Sequence, residues 1–310
     1  MPGSAGSSWY FLRYIDPDND KQLADPELLK HWMPVDLYIG GPEHAVGHLM
    51  YSRIWNRFLY DKGIAPTKEP FKKLVHQGMI LGANGIKMGK RFPEYVVNPS
   101  DIVRDYGADT LRLYLMFMGP LEVSKPWSNS GVEGARKFLN RVWTFVTNPD
   151  NITDESVPAL ERVYHQTVKK VSSDFEKLAF NTAISQMMIF VNACYKEGRC
   201  TKAYAEGLVK MLSCICPHIG EELWSELGHE GTIAYEPWPT FEEDKTKEDT
   251  IEIAVQVNGK VRGKVNVTME DDEDSVLAKV QESDAAKFLT GTIVKKIYVK
   301  GKIFTIVVKP

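Results

Sequence analysis

A stretch of apolar residues at helical spacing, from about residue 131 to 228, constrains the fold of this chain more than any other feature. Apolar side chains there recur every three or four positions, which is typical of helices that bury one face. Short connections join the segments, so an antiparallel helix bundle is the expected packing. The helical segments are Val132–Val146, Leu160–Phe180, Ala183–Tyr195 and Tyr204–Cys216.

Before this stretch, from residue 1 to about 125, short apolar strands alternate with amphipathic helices. This pattern predicts an α/β sheet with crossover helices. Residues 36–39 (Asp-Leu-Tyr-Ile) predict a buried strand, and Leu74 to Leu81 predicts the next one. A helix is expected to begin near Glu43, with apolar positions at helical spacing at Val46, Leu49, Met50, Ile54 and Phe58.

A second helix start is visible at Asn98-Pro99. An Asn side chain can accept a hydrogen bond from an unpaired N–H group of the first turn, and Pro suits the first helical position. Gly107 is expected to end this helix, because glycine commonly follows the last helical residue.

After the helical stretch the pattern returns to strands, and residues 250–310 predict a small α+β domain. Phe241–Thr250 is a charged linker. The Asn258-Gly259 pair lies between two runs of alternating apolar residues and predicts a tight hairpin, because both positions tolerate positive φ. A helix over about 274–289 and two strands around Gly301 complete the predicted domain.

Composition and charge limit the possible functions. The net charge of -3 excludes a uniformly basic nucleic-acid binder, so any RNA contact must come from local patches. No apolar run has the length of a membrane span, and the N-terminus shows no signal peptide. The cysteines are few and lie in helical sequence, which indicates reduced thiols in a cytoplasmic protein. They are Cys194, Cys200, Cys214 and Cys216.

The segment Lys87-Met88-Gly89-Lys90-Arg91 is the sharpest chemical feature. It places three cations and a glycine in a predicted loop between a strand and a capped helix. Such a loop can close over a polyphosphate and neutralise the charge that develops on a departing pyrophosphate. The alternative is a solvated basic turn, which a short basic stretch taken alone favours.

The segment Gly40-Gly41-Pro42-Glu43-His44 joins a predicted strand to a predicted helix. Ligands of open α/β sheets bind outside the carboxyl ends of strands, where two glycines let a nucleotide approach the backbone. Glu43 can hold an ammonium group and His44 can close one side of a small pocket. A tight turn with two polar surface residues is the alternative. Together with His48, these side chains lack the order of a zinc site, so we expect no metal.

Three further clusters favour packing when each is taken alone. Ser7-Ser8-Trp9-Tyr10 suits the wall of a pocket for a small apolar side chain, although such a segment is more often a packed helix start. Cys214-Ile215-Cys216-Pro217-His218 lacks the spacing of a zinc knuckle, so core packing is expected. Val46-Gly47-His48 echoes a phosphate-binding His-Gly-His element, but it falls inside the predicted helix and no such role is expected.

Lys260, Arg262 and Lys264 alternate along a predicted strand, so they are expected to project from one face of the sheet. Lys300 and Lys302 can add to the same basic face. A basic sheet face suits an RNA backbone, and a solvated face is the alternative.

Five segments, in this order and spacing, carry a resemblance: residues 5–14 (AGSSWYFLRY), 36–45 (DLYIGGPEHA), 77–81 (QGMIL), 107–112 (GADTLR) and 255–264 (VQVNGKVRGK). Over its whole length the chain resembles class I leucyl-tRNA synthetases of the bacterial type. Enzymes for valine, isoleucine and methionine are close relatives. The segments around Ser7–Tyr10 and Glu43–Ala45 favour the leucine enzymes among them.

The resemblance implies roles for individual residues. Lys87–Arg91 takes the place of the family's Lys-Met-Ser-Lys-Ser loop, with Gly89 and Arg91 replacing the serines and with Lys87 and Lys90 as catalytic cations. The implied ATP-binding residues are Gly40, Gly41, Gln77, Met79, Met88 and Lys90. The implied leucine-binding residues are Ser7, Tyr10, Glu43 and His44, and the implied tRNA-binding residues are Lys260, Arg262 and Lys264.

The resemblance also implies an architecture. Residues 1–125 would form the second half of a Rossmann-like catalytic domain, residues 126–240 a helical anticodon-type domain, and residues 250–310 a C-terminal tRNA-binding domain. The expected substrates are magnesium-ATP, leucine and tRNA-Leu, with no bound prosthetic group. The family's first nucleotide-binding half and its editing domain are expected to precede Met1. We therefore expect the chain to need that N-terminal half as a partner and to be inactive alone.

Two other functions stay open. A non-catalytic tRNA- or RNA-binding fragment would use only the bundle and the C-terminal domain. A nucleotidylyl transferase would use a similar lysine loop, but such enzymes lack the leucine-type pocket segments and the long bundle. Tight tRNA binding without ATP binding would favour the first of these alternatives.

Overall fold

The computed structural model describes residues 2–247, 250–268 and 271–309. The chain is of mixed α/β composition, with helices and small β-sheets. It divides into two compact units. One unit comprises Met1–Val157 with Thr167–Pro239, and the other comprises Pro158–Gln166 with Thr240–Pro310.

In chain order the α-helices are α1 (Tyr10–Arg13), α2 (Pro26–Trp32), α3 (Met50–Asp61), α4 (Pro99–Tyr106), α5 (Ala108–Phe117), α6 (Asn129–Val146), α7 (Pro158–Glu176), α8 (Phe180–Glu197), α9 (Lys202–Ser213), α10 (Pro217–Glu226) and α11 (Glu273–Gln281). The strands are β1 (Tyr38–Gly40), β2 (Leu74–His76), β3 (Ile80–Leu81), β4 (Lys125–Pro126), β5 (Ile152–Thr153), β6 (Cys200–Thr201), β7 (Ile251–Val257), β8 (Lys260–Val267), β9 (Thr292–Val299) and β10 (Ile303–Lys309).

Strands β1 and β2 form a parallel pair, with Tyr38 opposite Leu74. The prediction of a buried strand at residues 36–39 is wrong in burial, because Leu37 and Ile39 keep 41% and 43% of their surface exposed. A parallel pair is normally covered on both faces. The described part of this unit leaves apolar side chains of β1 uncovered.

The strand predicted from Leu74 to Leu81 is two short strands in two different sheets. Strand β2 pairs with β1, whereas β3 pairs with β4. Gly78 lies at the break and donates its N–H to the Leu121 carbonyl at 2.7 Å. A side chain at Gly78 would collide with the backbone of Val123. This close approach of a second segment turns the chain between the two sheets.

Helix α3 differs from the prediction in its start and in the side chains it buries. A 3₁₀ turn covers Pro42–His44 and a π-helical segment covers Ala45–Leu49 before α3 begins. Of the predicted apolar positions only Leu49 is buried, while Val46, Met50, Ile54 and Phe58 are exposed. The side chains that α3 buries are Ser52, Asn56 and Leu59.

Helix α4 has the predicted ends. The Asn98 side chain accepts a hydrogen bond from the Ser100 N–H at 3.0 Å, and Pro99 is the first helical residue. Gly107 follows the last helical residue with a φ of 89°. That conformation suits glycine, because a Cβ atom is strained at positive φ.

The predicted helical stretch is confirmed as helices α6 to α9, and α10 adds a helix that the predicted segments do not include. The segment predicted to run to Phe180 ends at Glu176, because Leu178 has a φ of 58° and α8 begins afresh at Phe180. The centre of this region is apolar and closely packed. Its fully buried side chains include Val132, Ile184, Met187, Met211, Leu212 and Leu223.

Ile215 and Cys216 are buried, as core packing of their segment predicts, whereas Cys214 and His218 are exposed. Burial raises the pKa of the Cys216 thiol, which keeps it protonated. None of the helices in the described ranges combines the length and hydropathy that a membrane crossing requires.

The second unit contains a four-stranded sheet in the order β8-β7-β10-β9, with β7 and β10 parallel. The predicted hairpin is confirmed, since Asn258 and Gly259 have φ angles of 49° and 77° between β7 and β8. The predicted helix over 274–289 is α11 followed by a separate 3₁₀ segment, Asp284–Phe288. One sheet face packs on α11 around Val255, Val276, Val280, Phe304 and Ile306.

Candidate functional site: a pocket at the ends of β1 and β2

A cavity of about 550 Å³ lies where β1 and β2 end, in the first unit. This is the edge of an α/β sheet at which ligands bind, because strand ends and helix starts converge there. It includes seven of the residues assigned to ATP or leucine from the sequence. The lining residues are Ser7, Tyr10, Tyr38, Ile39, Gly40, Gly41, Glu43, His44, His48, Leu49, Leu74 and Gln77.

The two glycines at the end of β1 have different surroundings. A Cβ atom on Gly41 would meet the carboxylate of Glu43, which is the far end of a flexible, half-exposed side chain and can move aside. Gly40 has open space where a side chain would be, which leaves its backbone accessible from the pocket. The Glu43 carboxylate lies 3.9 Å from His44 Nε2, and both side chains are about half exposed. The pocket therefore has a carboxylate that can receive a cationic group.

A chain of three polar groups forms the aromatic wall of the pocket. The hydroxyls of Tyr10 and Tyr38 are 2.6 Å apart, and the Tyr38 hydroxyl lies 2.6 Å from His48 Nε2. Burial, together with the hydrogen bond to Tyr10, raises the pKa of Tyr38. Burial, followed by the charge of His44, lowers the pKa of His48. Both pKa shifts favour the uncharged forms of Tyr38 and His48.

Sequence reasoning did not assign Tyr38 or His48 to the pocket. Tyr38 was assigned only to a buried strand, although a tyrosine beside two glycines at a strand end carries a hydroxyl that needs a partner. From the sequence, His48 is expected to lie inside a helix without a binding role. His48 follows His44 by four residues in a helical segment, so both rings lie on the same side of that segment. This spacing is the sequence feature that indicates His48 as a pocket residue.

The predicted adenosine-site residues are only partly brought together. Gln77 lines the pocket, and its N–H donates to the Gly40 carbonyl at 3.2 Å. Met79 lies beyond the break at Gly78 and does not line this cavity. Its N–H donates to Ser124 Oγ at 3.0 Å, and its carbonyl accepts from the Lys125 N–H at 3.0 Å.

The lysine loop, residues 87–91, is largely exposed, and none of its residues lines the pocket. Lys87 forms an isolated bridge with Leu81, and Met88 Sδ accepts a hydrogen bond from the Val97 N–H at 3.4 Å. Within the described ranges, the ammonium groups of Lys87 and Lys90 have no hydrogen-bond or ion-pair partner. No atom lies within 4 Å of the position of a Cβ on Gly89. The loop is thus held at Met88, and the ammonium groups of Lys87 and Lys90 are available for a ligand.

The expectation that Lys260, Arg262 and Lys264 share one face is wrong. The β-bulge opposite Val255 and Gln256 shifts the register, so Lys264 pairs with Ala254 and Lys260 pairs with Val257. Paired residues share a face, and Val257 belongs to the buried face whereas Ala254 does not. Lys264 is held by Glu252 at 2.6 Å, and the Arg262 guanidinium lies 4.4 Å from the centroid of the Phe288 ring.

In the part of the chain that the structure describes, no group of three or more His, Cys, Asp or Glu side chains is arranged to hold a metal ion. His44 and His48 instead approach each other edge to face, with ring centroids 6.2 Å apart. His44 lies near the Glu43 carboxylate, and His48 contacts the hydroxyls of Tyr38 and Ser52.

Comparison with known proteins adds the family. The profile of the class I tRNA synthetases for I, L, M and V matches residues 20–124, which include most of the pocket and the lysine loop. The profile of the anticodon-binding domain of tRNA ligases matches residues 159–277. The chain belongs to the class I tRNA synthetases. The resemblance to leucyl-tRNA synthetases predicted from the motifs is confirmed by a solved structure.

That structure is the crystal structure of the ternary complex of Agrobacterium radiobacter K84 agnB2 LeuRS, tRNA and LeuAMS. The two chains are 32% identical and superpose with a TM-score of 0.78. The match covers 98% of this chain and 42% of the Agrobacterium chain, so this chain spans less than half the length of that synthetase.

Proposed function

We propose that this class I synthetase chain is part of a cytoplasmic leucine–tRNA ligase, which activates leucine with magnesium-ATP and transfers it to tRNA-Leu. The observation that carries the proposal is the pocket at the end of β1. It combines a half-exposed carboxylate, Glu43, with an uncharged wall of Tyr10, Tyr38 and His48. Those groups suit an α-amino acid with an apolar side chain, because the anion can receive its ammonium group and the uncharged aromatic rings can contact its side chain.

In this proposal Glu43 receives the leucine ammonium group, and His44 and Ser7 close the sides of the pocket. The aromatic wall receives the isobutyl side chain. The lowered pKa of His48 favours leucine binding, because a protonated imidazole would repel the substrate ammonium group. The Tyr10–Tyr38–His48 hydrogen bonds fix the ring positions, so the pocket is preformed.

The same proposal assigns ATP to the adjoining backbone. Gly40, Gly41, Gln77 and Met79 lie along the strand ends, where adenosine can approach main-chain groups. Lys87 and Lys90 neutralise the charge on the leaving pyrophosphate when the leucine carboxylate attacks the α-phosphate. For this the loop has to move towards the pocket. Met88 is held by its hydrogen bond with Val97, and Gly89 has open space around it in which the backbone can move.

The apolar surface beside the pocket supports the need for a further polypeptide. Met50, Ile54 and Phe58 expose 42%, 53% and 47% of their surface along one side of α3, and Ile39 on β1 is exposed as well. Exposed apolar residues spaced along one side of a helix indicate an interaction surface. We propose that the first nucleotide-binding half of the synthetase covers this surface and completes the ATP site.

The test is leucine-dependent exchange of labelled pyrophosphate into ATP. The 310-residue chain alone should give no exchange, whereas addition of the remaining part of a leucyl-tRNA synthetase as a separate polypeptide should restore it. Isoleucine, valine and methionine should be poor substitutes for leucine. Exchange that prefers one of these amino acids would refute the assignment to leucine, and exchange by the chain alone would refute the need for a partner.

Within the reconstituted enzyme, Lys90→Ala should lower the exchange rate about 10²–10³-fold with little change in leucine binding, because the ammonium group acts on charge that develops in the transition state. Lys21→Ala removes another exposed lysine of the same unit and is the matched control. Equal rates for the two variants would contradict the role of Lys90.

The second candidate function is a non-catalytic tRNA-binding chain. The match of residues 159–277 to an anticodon-binding profile, with a lysine loop outside the pocket, favours it. It predicts tight binding of a tRNA-Leu transcript and no pyrophosphate exchange even after the remaining part of a synthetase is added.

A further inference from the structure

A second groove, of about 500 Å³, lies in the first unit away from the pocket at β1. It is formed by the starts of α5 and α10 and by one side of α6. Neither family profile includes the side chains that α6 contributes, because one ends at residue 124 and the other begins at residue 159. The lining residues are Tyr106, Gly107, Ala108, Asp109, Thr110, Arg136, Leu139, Asn140, Trp143, His218 and Ile219.

Helix α6 presents a cation, an amide and an indole to the groove. Arg136, Asn140 and Trp143 recur at four- and three-residue spacing, so they share one side of the helix. All three are exposed, whereas Val132, Phe138 and Val142 of the same helix are buried. The side that faces the groove is therefore not used for packing the helix.

These three side chains are only partly engaged. Arg136 Nη1 donates to the Tyr106 carbonyl at 2.7 Å, which fixes the guanidinium at the edge of the groove. Within the described ranges, this is its one hydrogen bond, and the Asn140 amide and the Trp143 indole N–H have none. The groove is thus lined by an oriented guanidinium with unused N–H groups and, about two helical turns further along α6, by the exposed ring of Trp143.

The opposite wall carries a positioned imidazole. His218 Nδ1 lies 2.9 Å from Asp109 Oδ1, and Asp109 Oδ2 accepts the Ile219 N–H at 2.7 Å. Asp109 is 8% exposed and is committed to both partners, while the His218 side chain is 76% exposed. His218 Nε2 is left available for a ligand.

The charge of α6 is opposite to that of the whole chain. The helix carries Arg136, Lys137 and Arg141 against Glu133 alone, a net charge of +2, whereas the chain has a net charge of -3. Of these cations Arg136 lines the groove, and a local excess of positive charge on an acidic protein favours binding of a polyanion.

We propose that this groove binds one nucleotide of a bound RNA. The base stacks on Trp143, the phosphate pairs with the guanidinium of Arg136, and Asn140 and His218 give hydrogen bonds to the base edge or ribose. A guanidinium beside an aromatic ring is how proteins hold an unstacked nucleotide, because one takes the phosphate and the other takes the base. The inference rests on the proposed function in one respect, namely that the RNA is tRNA.

The test uses the 310-residue chain and an unmodified tRNA-Leu transcript, with affinity measured from about 50 to 300 mM salt. Trp143→Leu should weaken binding about tenfold at every salt concentration, because stacking carries no charge. Arg136→Gln should weaken binding and flatten the log–log salt slope by about one. Lys137→Gln is the matched control, since it removes a neighbouring exposed cation of α6 that does not line the groove.

Two further measurements keep the test decisive. Arg136→Lys should keep the salt slope of the unchanged chain but only part of its affinity, because an ammonium group lacks the planar, paired N–H donors of a guanidinium. A photoreactive phenylalanine analogue at Asn140 should crosslink to the transcript. Should Trp143→Leu fail to fold, as judged by circular dichroism, Trp143→Phe replaces it and should retain most of the affinity.

Failure of the groove and failure of the proposed function give different results. The inference is overturned if the chain binds the transcript but Arg136→Gln and Trp143→Leu behave like Lys137→Gln and no crosslink forms at Asn140. That result would leave the proposed synthetase function intact. A chain that binds no transcript at any salt concentration would overturn both the inference and the proposed role in tRNA binding. Absence of leucine-dependent exchange after the remaining part of a synthetase is added, with crosslinking at Asn140 retained, would overturn only the proposed function.

Discussion

Helices α3 and α8 both have apolar residues at helical spacing, yet they use them in opposite ways. In α8, Ile184, Met187 and Val191 are buried in the helical core. In α3, Met50, Ile54 and Phe58 face outward, while Ser52 and Asn56 are buried. The Asn56 amide is held inside by the carbonyls of Thr67 and Lys68, at 2.7 and 3.1 Å.

The difference teaches that periodicity identifies a helix but does not say which polypeptide covers its apolar side. The helices around α8 bury one another's apolar side chains. Met50, Ile54 and Phe58 of α3 leave about half of their surface exposed among the described residues, next to the pocket that we propose as the leucine site. An apolar stripe of this kind is the property of an interface.

The largest expected effect compares the same substitution in the two helices. Ile184→Ala should lower the free energy of unfolding by about 2–5 kcal/mol, because it leaves a cavity in a fully packed core. Ile54→Ala should change it by less than about 0.5 kcal/mol, because Ile54 is 53% exposed. Urea unfolding followed by circular dichroism measures both. Equal losses would mean that Ile54 is buried in solution.

The next effect concerns association rather than stability. Ile54→Lys combined with Phe58→Glu should lower self-association of the isolated chain in sedimentation velocity without lowering its thermal stability. The same variant should abolish the restoration of pyrophosphate exchange by the added polypeptide. Restoration at the level of the unchanged chain would show that this side of α3 is not the proposed interface. Ile189→Lys, at an exposed position of α8, is the control.

Tyr38→Phe should have a smaller effect on the pocket. It removes the hydroxyl between Tyr10 and His48, and losing that bridge should cost about 1 kcal/mol of stability. In the reconstituted enzyme it should raise the KM for leucine. Tyr60→Phe, on the partly exposed end of α3, is the matched control for urea unfolding. Identical unfolding curves for both variants would contradict the structural role of the Tyr38 hydroxyl.

The smallest expected effect is on pH dependence. The pKa of His48 is lowered from 6.5 in the folded chain, so the unfolded chain takes up this proton first as the pH falls. The contribution of neutral His48 to stability is therefore complete above pH 6.5 and is lost as the pH falls below it. His48→Gln should remove this part of the pH dependence, and His31→Gln, at an exposed position, should not. If His48→Gln leaves the pH dependence of stability unchanged, His48 does not contribute to it.

The sequence was sufficient where a local interaction decides the structure. Asn98 with Pro99 begins α4, and Asn258 with Gly259 forms the hairpin, because caps and tight turns depend on neighbouring residues. It was insufficient where a distant segment decides. The strand expected through Gly78 breaks because the backbone of Val123 approaches there, and that contact joins residues 45 positions apart.

The candidate site shows the same division. Glycines, a carboxylate and a histidine after a strand predicted the place of the pocket, and Ser7, Tyr10, Glu43 and His44 line it. Tyr38 and His48 were missed because their roles depend on a hydrogen bond between a strand and a helical segment. Lys260 and Lys264 were assigned to one face because a β-bulge carries no signal in simple alternation.

By itself the sequence determined the helical stretch, the α4 ends, the hairpin and the family, since periodicity, capping and motif order are properties of residues close in the chain. Only the tertiary structure decided which side of α3 is buried, where the strand at Gly78 breaks, which rings form the pocket wall and that Arg136, Trp143 and His218 line one groove. Each of these depends on contacts between segments far apart in the chain, and such contacts are set by packing rather than by local preference.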